Sequence, residues 1–408
     1  MTAPHPSRRA SAIHAFEVMD VLRAAREREA AGLETLHLEV GQPAALAPRA
    51  VLDAAAAALG GPLGYTDALG LPELRERIAL HYAQRYGIQL DPARVVVTSG
   101  ASAGTVLALA ALADAGDTVM VTEPGYPCYA NDARVLGLEV VTAHLDASTG
   151  YRATPGVLQA AIRGMQATRV VAGVSAVIVA SPANPTGTVL WSDDLDRLHT
   201  WCAGAGATLV LDEIYHGTST EPLTSAAAYD DAVVIQSFSK YFAMTGWRLG
   251  WLVLPSSLIR PVEKLAQNLY LAPSTISQHA ALAAFDATDE LDGLASTYRA
   301  NAATVTEMLR SHGITDIAPA DGAFYVWANV GHLGDSRELC SRWLNEIGVA
   351  ATPGHDFDSV RGSGFVRLSV AGDPAVVSEA TARLDRWFAV QAPPMSQLTA
   401  APSGSARR

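Results

Sequence analysis

The chain has 408 residues, 49% hydrophobic and 17% charged, enough apolar material for a large buried core in two closely associated domains. A net charge of −12, with no face rich in Lys and Arg, argues against a nucleic-acid partner and suits simple colloidal solubility. The three cysteines, Cys128, Cys202 and Cys340, are too scattered for a disulfide framework or a Cys-x-x-Cys metal site. No run is long and apolar enough to span a bilayer, and His14, Glu17 and Asp20 break any signal-peptide core after Arg8 and Arg9, so the expected location is a reducing cytoplasm.

Residues ahead of Phe16 read as a flexible arm. Over residues 16–31, Phe16, Met19, Val21 and Leu22 fall at helical spacing among Arg and Glu, which predicts an amphipathic helix. Residues 36–40 read as a short strand ending in Gly41-Gln42-Pro43, a turn where backbone can approach a ligand closely. Tyr65 sits in a loop before Pro72-Glu73-Leu74, a helix start with proline and an acid in its first turn.

The middle of the chain repeats one pattern. β-Branched runs at 94–98, 118–122, 176–180, 208–211 and 233–236 each end in polar or glycine-rich residues, and helix-like segments separate most of them. Such alternation predicts a mostly parallel central sheet with crossover helices, with ligands gathered beyond the carboxyl ends of the strands. After the first run, Ser99-Gly100-Ala101-Ser102 opens a helix whose N-terminal amides are free to hold an anion such as a phosphate. Asp212, closing a buried run, needs a partner or costs heavily in desolvation; the plainer reading is a helix N-cap.

Of 29 lysines and arginines only Lys240 and Lys264 are lysines. A guanidinium stays protonated and does not readily form an imine, whereas a desolvated lysine amine does. Lys240, among Tyr241, Phe242, Trp247 and Arg248, therefore reads as a covalent cofactor anchor rather than a surface lysine. Beyond it, segments 261–267, 277–285 and 291–309 are expected to be helical, the last leading into a second domain. Residues 321–327 and 364–369 read as strands, and Arg367 inside the second is costly unless it binds an anion.

Ser237-x-Ser239-Lys240 followed by Thr245-Gly246-Trp247-Arg248-x-Gly250 resembles the lysine motif of fold-type I, pyridoxal-phosphate-dependent aminotransferases of the aspartate aminotransferase superfamily. The resemblance covers residues 13–390. It implies an α/β fold: an N-terminal arm and part of a small domain over 1–44, a large cofactor-binding domain over 45–290, and a small domain over 291–390 built with both chain ends; the stretch 391–408, rich in Pro, Ser and Ala, is expected to be a disordered tail. It further implies that Lys240 forms a Schiff base with pyridoxal phosphate. Ser237, Arg248 and the turn with Ala101 and Ser102 would hold the phosphate, joined by Tyr65 from the neighbouring subunit of a homodimer. Asp212 would pair with the ring nitrogen, Tyr215 and Asn184 would donate to the phenolic oxygen, and Tyr126 would stack on the ring. Arg367 would clamp the substrate carboxylate, with Asn184 and the Gly41 amide beside it.

The implied reaction transfers an amino group between an L-amino acid and a 2-oxo acid, with Lys240 moving the α-proton. Relatives that favour aspartate or glutamate add a cation where Ser102 stands or near residues 268–273, and neither is present, so a neutral or aromatic donor is expected. Two alternatives use the same cofactor. An elimination or cyclising lyase would release product without leaving the cofactor aminated. A non-catalytic regulator would carry a DNA-binding module, for which the stretch before Phe16 is expected to be too short.

Overall fold

The computed structural model describes residues 5–167 and 173–391; Gln391, the first residue of the expected tail, instead closes the helix Pro374–Gln391, and the rest of that tail lies outside the described residues. The expected arm carries a short exposed helix, Arg8–Ala12, capped where the Ser7 hydroxyl accepts from the Ala10 amide at 3.2 Å. The amphipathic segment forms the helix Glu17–Ala30. Strand β1 (Leu36–His37) is shorter than expected, because the backbone bends after Leu38 and the Glu39 carbonyl turns toward the Arg367 guanidinium.

Seven strands then build the main sheet: β2 (Val95–Thr98), β3 (Thr118–Glu123), β4 (Glu139–His144), β5 (Ala176–Ala180), β6 (Thr208–Asp212), β7 (Val233–Ser237) and β8 (Gly250–Val253). Their order is β2-β8-β7-β6-β5-β3-β4, parallel throughout except for β8, which runs antiparallel to both neighbours. The fold is thus the expected mostly parallel α/β sheet. Strands β4 and β8 were not among the expected runs.

Both faces of this sheet are covered, and strand periodicity shows it. Val177, Val179, Leu209 and Leu211 pack into one apolar cluster, while Ile178 and Val210 point into another. Each such buried side chain contributes about 1.5–3 kcal/mol, which offsets the backbone entropy lost on ordering.

A second core gathers β9 (Tyr325–Asn329), β10 (Val349–Ala350), β11 (Thr352–Pro353) and β12 (Phe365–Ser369) with both ends of the chain. β1 pairs in parallel with β10, and β11-β12-β9 form an antiparallel sheet. The helix Thr288–Ser311 bridges the two cores, giving Leu291 to the larger and Tyr298, Val305 and Leu309 to the smaller. Among the described residues no helix is long and apolar enough to cross a membrane.

Candidate active site

The carboxyl ends of the parallel strands converge on a cavity of about 240 Å³ between the two cores. At one end lies an anion cradle. The helix Gly100–Leu112 follows β2 and presents the unpaired amides of its first turn. Gly100 has φ of +78°, and a Cβ there would lie 2.6 Å from Arg248 Nη2, so only glycine lets the guanidinium approach this turn. Opposite, the Ser237 hydroxyl donates to Ser239 Oγ at 2.9 Å and accepts from the Ser239 amide at 3.0 Å, and Arg248 Nη1 donates to Ser239 Oγ at 3.4 Å. Arg248 itself is in the left-handed region with φ of 51°. A non-glycine residue there costs about 1–3 kcal/mol, and here the cost aims a charge at the cradle.

Three residues past the end of β7, Lys240 extends into the cavity and its Nζ donates to the Gly41 carbonyl at 2.5 Å. Burial first, then the positive fields of Arg367 and Arg248, bring its amine down to about 8, with Asp212 opposing. Roughly a tenth of this amine is therefore unprotonated at pH 7, far more than for an ordinary exposed lysine. Asp212 closes β6 and is 3% exposed. Burial pushes its carboxyl up to about 6, held back by the Tyr129 hydroxyl, which donates to Oδ2, and by the Ile214 amide at 3.1 Å. Across the cavity the Tyr215 and Tyr325 hydroxyls share a hydrogen bond of 2.7 Å. Gly41 is required beside them, since a Cβ would fall 2.0 Å from the Tyr325 oxygen.

Arg367, on β12, is 2% exposed. Its Nη1 donates to Asn184 Oδ1 at 3.0 Å and its Nη2 to the Glu39 carbonyl, and the guanidinium lies 4.6 Å from the ring centres of both Tyr325 and Phe357. Nε has no partner, and no described carboxylate forms an ion pair with it. A buried cation with a spare donor at a cavity wall is chemically suited to an anionic group.

The structure thus brings together Gly41, Ala101, Ser102, Tyr126, Asn184, Asp212, Tyr215, Ser237, Lys240, Arg248 and Arg367 on one cavity. Tyr65 is the exception, 86% exposed and outside that lining in the single chain. Sequence reasoning passed over Tyr129, Ser239, Tyr325 and Asp132, and the wall formed by Phe16, Val18 and Met19. Tyr129 and Ser239 lie within three residues of assigned positions, so proximity was the available signal. Nothing in the sequence ties the start of the first long helix to a cavity.

Fold and cavity together define an aminotransferase, and the chain belongs to the aminotransferase class I and II family, whose profile matches residues 34–384. It acts between an amino acid and a 2-oxo acid, in a family that generally depends on pyridoxal phosphate. The chain is 45% identical over 387 residues to a valine–pyruvate aminotransferase of Mycobacterium tuberculosis, covering 92% of this chain and 97% of that one. It is 33% identical over 391 residues to a (5-formylfuran-3-yl)methyl phosphate transaminase of Methanocaldococcus jannaschii, covering 94% and 99%. Among solved structures, an aminotransferase from Mycobacterium tuberculosis superposes with a TM-score of 0.89 at 43% identity, over 95% of this chain and 100% of that one. Aspartate aminotransferase from Thermus thermophilus with maleate gives 0.86 at 30% identity, over 94% and 100%.

Proposed function

We propose that this chain holds pyridoxal phosphate through Lys240 and takes its amino group from an L-amino acid with a neutral, apolar or aromatic side chain, working as a cytoplasmic homodimer. The donor set fits the cofactor. The cradle of helix amides, Ser237, Ser239 and Arg248 suits a phosphate dianion, and Asp212 is a buried carboxylate facing the same cavity as the amine. When bound, the cofactor supplies an aldehyde for amine exchange and a protonated ring that takes up electrons from the α-carbon.

The chain's own groups do the rest. Arg367 and Asn184 hold the α-carboxylate, Tyr126 lines the ring side, and Lys240 Nζ, its affinity for protons lowered by burial, is placed to take and return the α-proton. Asp212 in its ionised form would keep the ring nitrogen charged.

One observation carries the choice of substrate. The cavity's three cations are each accounted for, Lys240 as anchor, Arg248 in the cradle and Arg367 as clamp, while Phe16, Val18, Met19, Val40 and Ile214 supply apolar wall. Nothing in this lining is left to pair with a second substrate carboxylate. The relative named for valine and pyruvate points the same way.

Support for the dimer is the exposure of Tyr65 beside Leu63, which is 45% exposed, on a surface tied to the segment after Leu271 by the Thr275 hydroxyl donating to the Gly64 carbonyl at 2.6 Å. The test is a visible absorption spectrum of the cofactor-loaded protein before and after adding L-amino acids, beside Lys240→Ala. Valine or an aromatic donor should discharge the absorbance faster than aspartate, and the variant should show no lysine-linked band. Aspartate as the fastest donor contradicts the substrate reading, and an unchanged band in Lys240→Ala contradicts the anchor. Equimolar 2-oxo acid without ammonia separates transfer from elimination.

A further inference from the structure

Part of the cavity lining comes from two helices in contact, Gly100–Leu112 and Cys128–Leu136. The first contributes Ser102 and Thr105, the second Cys128 and Asp132, all lining the cavity. Asp132 is the unusual member. Its neighbours along the helix point elsewhere, with Ala133 in the core and Arg134 exposed, so the turn places one carboxylate on an otherwise uncharged wall. It is mostly buried, and among the described residues it has neither a hydrogen-bond nor an ion-pair partner. Burial alone moves its carboxyl, up to about 6, so it is largely ionised at neutral pH.

We propose that Asp132 is the charge filter of the side-chain pocket, admitting neutral or cationic amino donors and rejecting amino and 2-oxo acids that carry a second carboxylate. This deepens the reading above and rests on Arg367 holding the α-carboxylate. With one end of the substrate fixed there, a second carboxylate directed at this wall meets no cation and an unpaired anion. Like charges brought together in a partly desolvated site are strongly disfavoured, which gives discrimination without any attractive contact to the preferred substrate. An apolar side chain pays no such penalty. A donor with a terminal ammonium or hydroxyl would gain an acceptor.

The experiment compares two probes on the cofactor-loaded protein by calorimetric titration. One is 3-sulfopropanoate, a dianion whose sulfonate does not titrate in the working range; the other is 3-methylbutanoate, a monoanion of similar length. In Asp132→Asn the ratio of their dissociation constants, dianion over monoanion, should fall about 10- to 100-fold. In the wild type the same ratio should fall between about pH 8 and about pH 5.5, as the carboxylate takes up its proton.

Of the groups around Asp132, Lys240 would be masked by the loaded cofactor in this window. Tyr126 and Cys128 on its own segment and Tyr270 from the end of the helix Ser256–Leu269 are pushed up by burial and stay neutral. Asp356 near Cys128 and Asp212 across the cavity are carboxylates that also shift upward. The part of the pH dependence that disappears in Asp132→Asn is therefore the filter's own. An unchanged ratio in the variant, or a wild-type pH dependence that the variant retains in full, overturns the proposal. Failure of both probes to bind the wild type overturns the carboxylate role of Arg367, and the filter with it.

Discussion

Asp212 shows what single residues do here. A carboxylate closing a buried strand was recognisable from sequence because desolvation demands compensation, and its cavity-facing position agrees. The hydroxyl that keeps it ionised was not recognisable, since Tyr129 lies 83 positions away and only the packing of the helix Cys128–Leu136 brings it to Oδ2. A hydrogen bond to a charged group is worth about 1.5–3 kcal/mol. Tyr129→Phe removes a contact that lowers the Asp212 carboxyl, so that carboxyl must rise further and the ionised form is lost at higher pH. The acid limb of the pH–rate profile should move upward with little change on the alkaline side. A profile identical to wild type would show that the hydroxyl does not tune the carboxylate. Arg367 was legible for the same reason as Asp212, an isolated charge in an apolar strand, but its partners Asn184 and the Glu39 carbonyl come from distant parts of the chain.

Among the elements, the helix Glu17–Ala30 has the clearest unexpected role. Its N-terminus lacks a side-chain cap of its own. Instead Asp356 accepts from the Glu17 and Val18 amides at 3.0 Å each, from 339 and 338 residues away. The Glu17 carboxylate pairs with Arg337 on the same side. That pair is half-exposed and worth little, whereas loss of an N-cap costs about 0.5–2 kcal/mol. Since Phe16, Val18 and Met19 line the cavity, the cap fixes an apolar wall as well as a helix end. Asp356→Ala should raise KM for an apolar donor several-fold with a smaller effect on kcat, and should speed amide exchange in the first turn of this helix. Unchanged KM with faster exchange would leave the cap purely structural.

Helical periodicity gave the existence of this element from sequence, but a cap supplied from the far end of the chain leaves no local trace. β8 escaped notice for a different reason. Its first residue, Gly250, ends the lysine motif and the other three carry too short an apolar run to separate from it, yet they supply the antiparallel strand that locks β7 to β2. β4 is an edge strand with alternating exposure, and its polar residues disguised it.

At the scale of the whole molecule, the smaller core is assembled from both chain ends, so the cavity is shaped by the association of remote segments. The fold class was legible because alternating buried strands and helices admit few parallel arrangements. The expectation of a dimer rested on Tyr65 alone, and that residue is exposed in the single chain. If Tyr65 completes the neighbouring cradle, a mixture of Lys240→Ala and Tyr65→Ala chains, unfolded and refolded together, should regain activity. Each heterodimer then has one site with both native residues. Activity no greater than the sum of the separate variants would mean that the tyrosine serves its own chain or none.

The scarcity of lysine has a practical consequence. With Lys240 engaged in the cavity, Lys264 on the helix Ser256–Leu269 is the only other ε-amine, and its side chain is exposed. With the cofactor held on Lys240, amine-directed coupling of a dye or a solid support to a lysine side chain would therefore attach at one defined point, remote in sequence from the chemistry, and leave the reacting nitrogen untouched.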